Sequence, residues 1–270
     1  MTDLGVVAAG VYVPRFGTAG RRGRRFRCGS DEDAVTLAVE AGERALAHWP
    51  GGAASVGGLF AALDHGPDVH GTQAQVVREA LDLPPATRVA AAAVDGLAGM
   101  AALQAALDAV RSGAIETALV VAAEAASEPE ARRSAGAVAL VVAAEGSASA
   151  LRISEVTRRS ALTHEDWRPA GGGAAPVDPR FLSHRYRALL RQTVEPIDAG
   201  EFDGVVFSGG FPGDHREVRR WLGVTGEEAP DGVDGADFGP AGPLMALVHA
   251  LRAYPAQTVG LVAYGAGQAV

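Results

Sequence analysis

Residues 97–123 read LAGMAALQAALDAVRSGAIETALVVAA. Apolar side chains recur at helical spacing as far as Arg111, and Gly113 ends the helical pattern. A continuous apolar run follows at 117–123 and a second at 137–143, which is typical of strands that are covered on both faces. This order predicts a helix packed against a buried sheet, and hence an α/β fold.

The same alternation of strands and helices extends in both directions from this stretch. We expect an opening strand at 4–13 and a helix that Ser30 caps and that runs to Ala47. Two unequal repeated halves are predicted, residues 1–149 and a shortened 150–270, in one compact body. Further strands are predicted at 56–63, 88–94, 151–157, 204–208 and 258–264, and further helices at 72–83, 180–193, 214–222 and 243–253.

Composition excludes several kinds of chemistry. All 24 basic residues are arginine, so a Schiff-base lysine, a Walker-A lysine and a lysine general base are absent. The single cysteine, Cys28, excludes a disulfide framework and a zinc or iron–sulfur site built on cysteines. A net charge of −8 argues against general nucleic-acid binding. Neither a membrane-spanning run nor a secretory signal is evident in the sequence, so we expect a cytoplasmic location.

Five segments follow one another along the chain, namely GVYVPR at 10–15, DEDAVTLAVEA at 31–41, LAGMAAL at 97–103, DWRP at 166–169 and AYGAG at 263–267. In this order they resemble the thiolase superfamily and most closely its hydroxymethylglutaryl-CoA synthase-like and ketoacyl synthase III-like branch. The resemblance covers nearly the whole chain. It implies a five-layered αβαβα fold and a dimer whose interface extends the central sheets.

The active members that this chain resembles use a Cys-His-Asn site, and the matching positions here hold other residues. Gly96 stands at the position of the nucleophile, Ser208 nearest the position of the histidine, and Pro240 at the position of the asparagine. Glycine and proline have no reactive side chain, and a serine without a base is a poor nucleophile. We therefore expect no thiolate chemistry, and no activity from the chain alone.

Other residues are weaker catalytic candidates. Asp64 falls near the position of a family acid, and with His65 it is a candidate general base or, with His70, a loose metal site. Asp95 precedes the turn at Gly96 and is interpreted first as a helix-capping acid. A surface loop and an N-terminal cap are the alternative roles for these residues, and we predict no metal.

Five arginines lie within residues 21–27, a stretch that we interpret as a loop. Arg24, Arg25 and Arg27 are candidates for binding the phosphates of coenzyme A or phosphopantetheine, which would act as substrate carrier. A solvated loop is the alternative. We also expect these arginines to lower the pKa of Cys28, which we interpret as a structural or incidental cysteine, with a reactive or redox-sensitive thiol as the alternative.

Three functions remain open. The first is a non-catalytic structural or regulatory partner of an active acyl-CoA or polyketide condensing enzyme, with an active thiolase-like subunit, and an OB-fold acyl-CoA-binding protein as a further candidate partner. The second is a cysteine-independent acyltransferase, aldolase or cyclase acting on an acyl-CoA or acyl-carrier substrate. The third is an acyl-CoA binding module. The sequence leaves open whether the oligomer is homomeric or heteromeric.

Overall fold

The computed structural model describes residues 4–20, 23–64, 73–92, 96–126, 133–144, 151–153, 157–161, 179–197, 204–209, 212–223, 237–253, 258–265 and 268–270. Its strands are β1 (Leu4–Tyr12), β2 (Phe16–Gly20), β3 (Gly23–Arg27), β4 (Gly58–Asp64), β5 (Arg88–Ala91), β6 (Thr117–Glu124), β7 (Gly136–Ala144), β8 (Leu151–Arg152), β9 (Arg159–Ser160), β10 (Gly204–Ser208), β11 (Val259–Gly265) and β12 (Gln268–Ala269). Its helices are α1 (Ala34–Ala47), α2 (Gln73–Ala80), α3 (Ala98–Arg111), α4 (Pro179–Val194), α5 (Pro212–Leu222) and α6 (Gly242–Ala253), with 3-10 turns at Ala53–Ser55 and Gly239–Ala241.

Two sheets form the framework. The first has six strands in the order β5-β4-β6-β7-β1-β8, in which β4 runs parallel to both β5 and β6 and the other pairs are antiparallel. The second has the order β10-β11-β12-β9 and begins with a parallel pair. The apolar runs predicted as doubly covered strands are β6 and β7, which are buried along almost their whole length.

Helices cover both faces of both sheets, which gives five layers. The core on one face of the first sheet joins it to α1 and α2, and the core on its other face joins it to α3 and α6. Ala246 and Ala250 of α6 also contact Val206 of β10, so α6 lies between the two sheets. The core on the outer face of the second sheet contains residues of α4 and α5. The predicted αβαβα architecture is confirmed.

The N-terminus of α1 shows how a local signal fixes an element. Asp33 caps the helix, because its Oδ1 accepts a hydrogen bond from the Thr36 amide at 2.8 Å and its own amide donates to Thr36 Oγ1 at 2.7 Å. This reciprocal pair satisfies two amides that the helix cannot bond internally. The expectation that Ser30 caps the helix was wrong, since the chain still forms a turn at Ser30 and Asp31.

The arginine-rich stretch is not a loop where the structure describes it. Strands β2 and β3 pair as an antiparallel hairpin, with Phe16 opposite Arg27 and Thr18 opposite Arg25. Phe26 fixes the hairpin to the body, because its ring stacks on Phe238 at a centroid distance of 6.1 Å and its carbonyl oxygen accepts from the Ala135 amide at 2.9 Å.

Two predicted strands are shorter than expected within the described residues. The strand predicted at 88–94 ends at Ala91, and that predicted at 151–157 pairs with β1 only at Leu151 and Arg152. None of the helices in the ranges given above is long and apolar enough to cross a membrane.

Candidate functional site

The structure brings the positions of Gly96, Ser208 and Pro240 to one place. A Cβ on Gly99, in the first turn of α3, would overlap the carbonyl oxygen of Pro240. A Cβ on Gly265, at the end of β11, would lie 3.9 Å from the Cα of Gly96. The beginning of α3, the 3-10 turn and the end of β11 therefore meet.

Ser208 closes this region from the second sheet. It is the last residue of β10, and a Cβ on Gly242, the first residue of α6, would lie 3.3 Å from its Oγ. At Gly99 the absence of a side chain allows α3 and the 3-10 turn to approach more closely than any other residue would permit. Whether these three residues occupy former catalytic positions stays a prediction.

The turn before α3 carries no nucleophilic atom at either of its described residues. Gly96 has no side chain, and the side chain of Leu97, the N-cap residue, is apolar and only 1% exposed. This conclusion also holds if the nucleophile position is assigned one residue later, to Leu97. The helix N-terminus that would stabilise a thiolate has no thiol beside it at these two positions.

Asp64 lies in a charged cluster rather than alone. Asp64 and Glu124 end two parallel neighbours, β4 and β6, at the same register. Arg133 lies between the two carboxylates, since its Nη1 donates to Asp64 Oδ2 at 2.7 Å and to Glu124 Oε2 at 3.1 Å. Glu124 is completely buried, and its Oε1 accepts from the Ala126 amide at 3.0 Å. Asp64 is thus held in an ion pair, which limits its use as a general base.

The guanidinium of Arg133 stays protonated. Burial acts to lower the pKa of its guanidinium, but Glu124, Asp237 and Asp64 together raise that pKa above its ordinary value. A permanently charged guanidinium can neutralise the buried carboxylates, which would otherwise be costly to desolvate.

The same cluster holds the turn that contains Pro240. The Gly239 amide donates to Asp237 Oδ1 at 2.8 Å, and the Ser134 amide donates to the carbonyl oxygen of Asp237. Gly239 has a φ of +51°, and a Cβ at this position would overlap Glu124 Oε2. Only glycine fits both the left-handed backbone and the contact with the carboxylate.

Sequence reasoning missed Glu124 and Arg133. A usable signal exists for Glu124, because it ends an apolar run just as Asp64 ends the run of β4. Two acids at the carboxyl ends of neighbouring parallel strands require a cation nearby. Nothing in the local sequence marks Arg133 as that cation.

Cys28 lies beside the end of β6, on the other side of the first sheet from α3. It packs in the core on the α1 side of the first sheet, whereas α3 covers the opposite face. Its Sγ donates to the carbonyl oxygen of Ala125 at 2.9 Å. Burial, followed by the charges of Glu32, Asp33 and Glu124, raises the pKa of the thiol to about 11. The expectation that the arginines lower this pKa was wrong, because burial and the nearby acids raise it.

His215 lies in the first turn of α5. Its ring stacks on Phe207 at 4.5 Å with an interplanar angle of 9°, and its Nε2 lies 3.0 Å from the carbonyl oxygen of Gly209. These contacts fix the histidine against the turn that follows β10.

Several candidates lie outside the described residues, namely His65, His70, Asp95, residues 166–169 and the side chain of Arg24. Within the described ranges, no group of three or more His, Cys, Asp or Glu side chains is arranged to hold a metal ion.

Comparisons with known proteins agree with the fold. No known family profile matches the chain. The chain is 26% identical to hydroxymethylglutaryl-CoA synthase of Methanothermobacter thermautotrophicus over 258 residues, covering 88% of this chain and 73% of that protein. It is 27% identical to the synthase of Methanopyrus kandleri over 302 residues, covering 98% of this chain and 85% of that protein.

Solved structures share the fold of this chain at lower sequence identity. A variant of OleA from Xanthomonas campestris, with bound lauric acid and lauroyl-CoA, superposes with a TM-score of 0.80 at 17% identity, covering 99% of this chain and 97% of that chain. The 3-oxoacyl-(acyl carrier protein) synthase III, FabH, of Xanthomonas oryzae pv. oryzae superposes with a TM-score of 0.81 at 17% identity, with the same coverage. The chain therefore has the thiolase-like fold of these structures, and in sequence it is similar to the hydroxymethylglutaryl-CoA synthases.

Proposed function

We propose that this chain is a non-catalytic thiolase-fold subunit that pairs with an active acyl-CoA or polyketide condensing subunit. One observation carries the proposal: the beginning of α3, the end of β10 and the 3-10 turn meet as a site, yet Gly96, Leu97 and Pro240 bring no reactive side chain to it. The layers that build the site are retained without its chemistry. Retention of the framework favours a structural role.

The ion pair of Asp64 supports this proposal over a cysteine-independent enzyme. A general base needs a carboxylate that can accept a proton from substrate. Arg133 Nη1 already donates a hydrogen bond to Asp64 Oδ2 at 2.7 Å, and the Asp64 side chain is only 13% exposed. Asp64 Oδ2 therefore already contacts a guanidinium at the place where a substrate proton would have to approach.

The edge of the first sheet is the surface that we assign to the condensing partner. Strand β5 is the last strand at one end of the six-stranded sheet, and its residues are exposed or half-buried. An exposed strand edge offers amide and carbonyl groups for pairing with another chain. An OB-fold acyl-CoA-binding protein is a further partner that this proposal allows.

Coenzyme A or phosphopantetheine is the carrier that we propose for the complex. Arg25 and Arg27 alternate on β3 with Phe26, so the two arginines share the hairpin face that Phe26 does not occupy. One guanidinium group can donate two parallel hydrogen bonds to the oxygens of a phosphate. Substitution of Arg25 and Arg27 by alanine should weaken the affinity of the complex for acyl-CoA, and an unchanged affinity would remove this part of the proposal.

Native mass spectrometry of the chain recovered from its own source tests the main proposal. We expect a mass that is not a whole multiple of 27.5 kDa, because the complex also contains a second, cysteine-bearing thiolase-like chain. A homodimer with nothing else bound would contradict it. The isolated chain should also fail to turn over acetyl-CoA, and turnover abolished by Asp64→Asn would favour the enzyme instead.

A further inference from the structure

The hairpin of β2 and β3 is fixed to the body along one edge, as far as the described residues extend. Strand β3 forms the fixed edge, because the Phe26 amide donates to Ser134 Oγ at 3.3 Å and the Phe26 carbonyl oxygen accepts from the Ala135 amide at 2.9 Å. In the described part of the chain, β2 pairs with β3 and with no other strand. The outer side of β2 is therefore an unpaired strand edge.

The register of the hairpin determines which backbone groups lie on that edge. Gly17 stands opposite Phe26, and Phe26 uses its amide and carbonyl outside the hairpin, so the two residues form a non-hydrogen-bonded pair. The amide and carbonyl of Gly17 therefore point outward, and by alternation those of Ala19 point outward as well. Along a strand, these two residues are about 7 Å apart, which is the repeat that a further β-strand requires.

One face of the hairpin adds an exposed ring and positive charge to this edge. Phe16 is 67% exposed, the largest exposed fraction among the large apolar side chains that the structure describes. Opposite residues share a face, so Phe16 and Thr18 lie on the same face as Arg27 and Arg25. Residues 15–27 contain six arginines and no acid, so this stretch carries +6 in a chain of −8, and the remainder carries −14.

We propose that the outer edge of β2 binds an extended, acidic segment of a partner protein as a third strand of this sheet. The donors and acceptors of Gly17 and Ala19 alternate as a peptide backbone requires, whereas a nucleic-acid backbone or an anionic lipid headgroup offers phosphate oxygens that only accept. An apolar side chain of the segment packs on Phe16, and its acids face the arginines of the hairpin. A second copy of the hairpin would bring like charge to the edge, which disfavours self-pairing.

The edge is preformed, which favours the binding of a flexible segment. The Phe26 ring stacks on Phe238 at 6.1 Å, and this contact fixes β3, and with it β2, beside the 3-10 turn Gly239–Ala241. A fixed edge loses little conformational freedom when a segment pairs with it. The inference goes beyond the proposed function, because it does not involve the β5 edge and the partner need not be thiolase-like.

Titration of the full chain with synthetic peptides tests the inference. The probe is a fluorescent heptapeptide in which four threonines alternate with glutamate, phenylalanine and glutamate, so that the acids and the ring share one strand face. A second peptide has lysine in place of glutamate, and two more are each methylated on one of the two alternating sets of backbone amides. A thymidine heptanucleotide is the nucleic-acid probe. Binding is measured by fluorescence anisotropy, and NMR follows the amides of Gly17 and Ala19.

We expect the acidic peptide to bind and to shift these two amide signals. The lysine peptide and the oligonucleotide should bind at least about tenfold more weakly. One methylated peptide should lose about tenfold or more in affinity, and the other should keep its affinity, because only one set of amides faces β2. Phe16→Ala should weaken binding about tenfold. Its matched control Val76→Ala, at a residue 48% exposed on α2, should leave binding unchanged.

A variant in β2 separates this inference from the carrier proposed above. Gly17→Pro removes an outward amide but no arginine, so it should weaken peptide binding about tenfold and leave acyl-CoA binding by Arg25 and Arg27 unchanged. If this variant unfolds, the methylated peptides still decide, because they leave the chain unaltered. Absence of binding by the acidic peptide, equal affinity for the lysine peptide or the oligonucleotide, or equal binding of both methylated peptides would each overturn the proposal.

Discussion

Removal of the Arg133 guanidinium offers the most direct test of the charged cluster. In Arg133→Met the carboxylates of Asp64 and Glu124 remain side by side without the guanidinium that bridges them. Their side chains are 13% and 1% exposed, and that of Arg133 is 32% exposed. Loss of one partner from a buried ion pair costs about 3–5 kcal/mol, and the partial exposure of Arg133 places the expected loss near the lower end, about 3 kcal/mol.

Chemical and thermal unfolding measure this loss. For a chain of this size, about 3 kcal/mol corresponds to a fall in Tm of roughly 6 °C. The matched control is Arg111→Met, which removes a surface pair with Asp108 whose side chains are 46% and 59% exposed. That variant should lose at most about 0.5 kcal/mol.

A double variant separates the cluster from simple loss of packing. Arg133→Met with Glu124→Gln removes the buried charge together with its partner, so we expect it to recover more than half of the loss. The reasoning is refuted if Arg133→Met costs no more than Arg111→Met, or if the second substitution adds its own full cost to the first.

Three further outcomes are expected. Cys28 should react with Ellman's reagent slowly at pH 8, because a pKa of about 11 in place of 9.0 lowers the thiolate fraction about 100-fold. Because the pKa is raised in the folded chain, the stabilisation linked to this thiol is lost as the pH rises from 9 to 11. Rapid reaction of the folded chain at pH 8 would contradict the assignment. Gly99→Ala should lower Tm far more than Gly96→Ala. A Cβ on Gly99 overlaps the carbonyl oxygen of Pro240, whereas no described atom lies within 4 Å of a Cβ on Gly96. Equal effects on Tm would argue against the close approach of Gly99 to Pro240. Asp33→Ala should cost about 1 kcal/mol in denaturant unfolding by removing the cap of α1, and a loss below about 0.3 kcal/mol would show that the cap is redundant.

The elements with a strong apolar period were predictable from sequence. Helix α3 and strands β6 and β7 follow their predicted ranges closely, because a side-chain period fixes both the type of element and the buried face. The hairpin of β2 and β3 escaped prediction because its arginines hide the alternation, and Phe26 alone marks the inward face. A strand held mainly by one half-buried ring leaves little trace in a hydrophobic pattern.

The candidate site, too, was predictable from the sequence only in part. The convergence of Gly96 and Pro240 followed from a resemblance to a family with a known order of motifs. The ion pair of Asp64 did not, because its partner Arg133 is 69 residues away in sequence and meets it only through the register of β4 and β6. The raised pKa of Cys28 was also missed, since neighbouring residues in sequence are a poor guide to neighbours in space.

The position of α6 between the two sheets has a consequence for unfolding. Leu244, Met245 and Val248 belong to the core of the first sheet, and Ala246 and Ala250 to that of the second. A local opening of either sheet therefore exposes one side of the same helix. Hydrogen exchange in α6 should proceed only through the global transition, so that its amides are among the slowest to exchange. The two halves then behave as a single cooperative unit, although each has its own sheet.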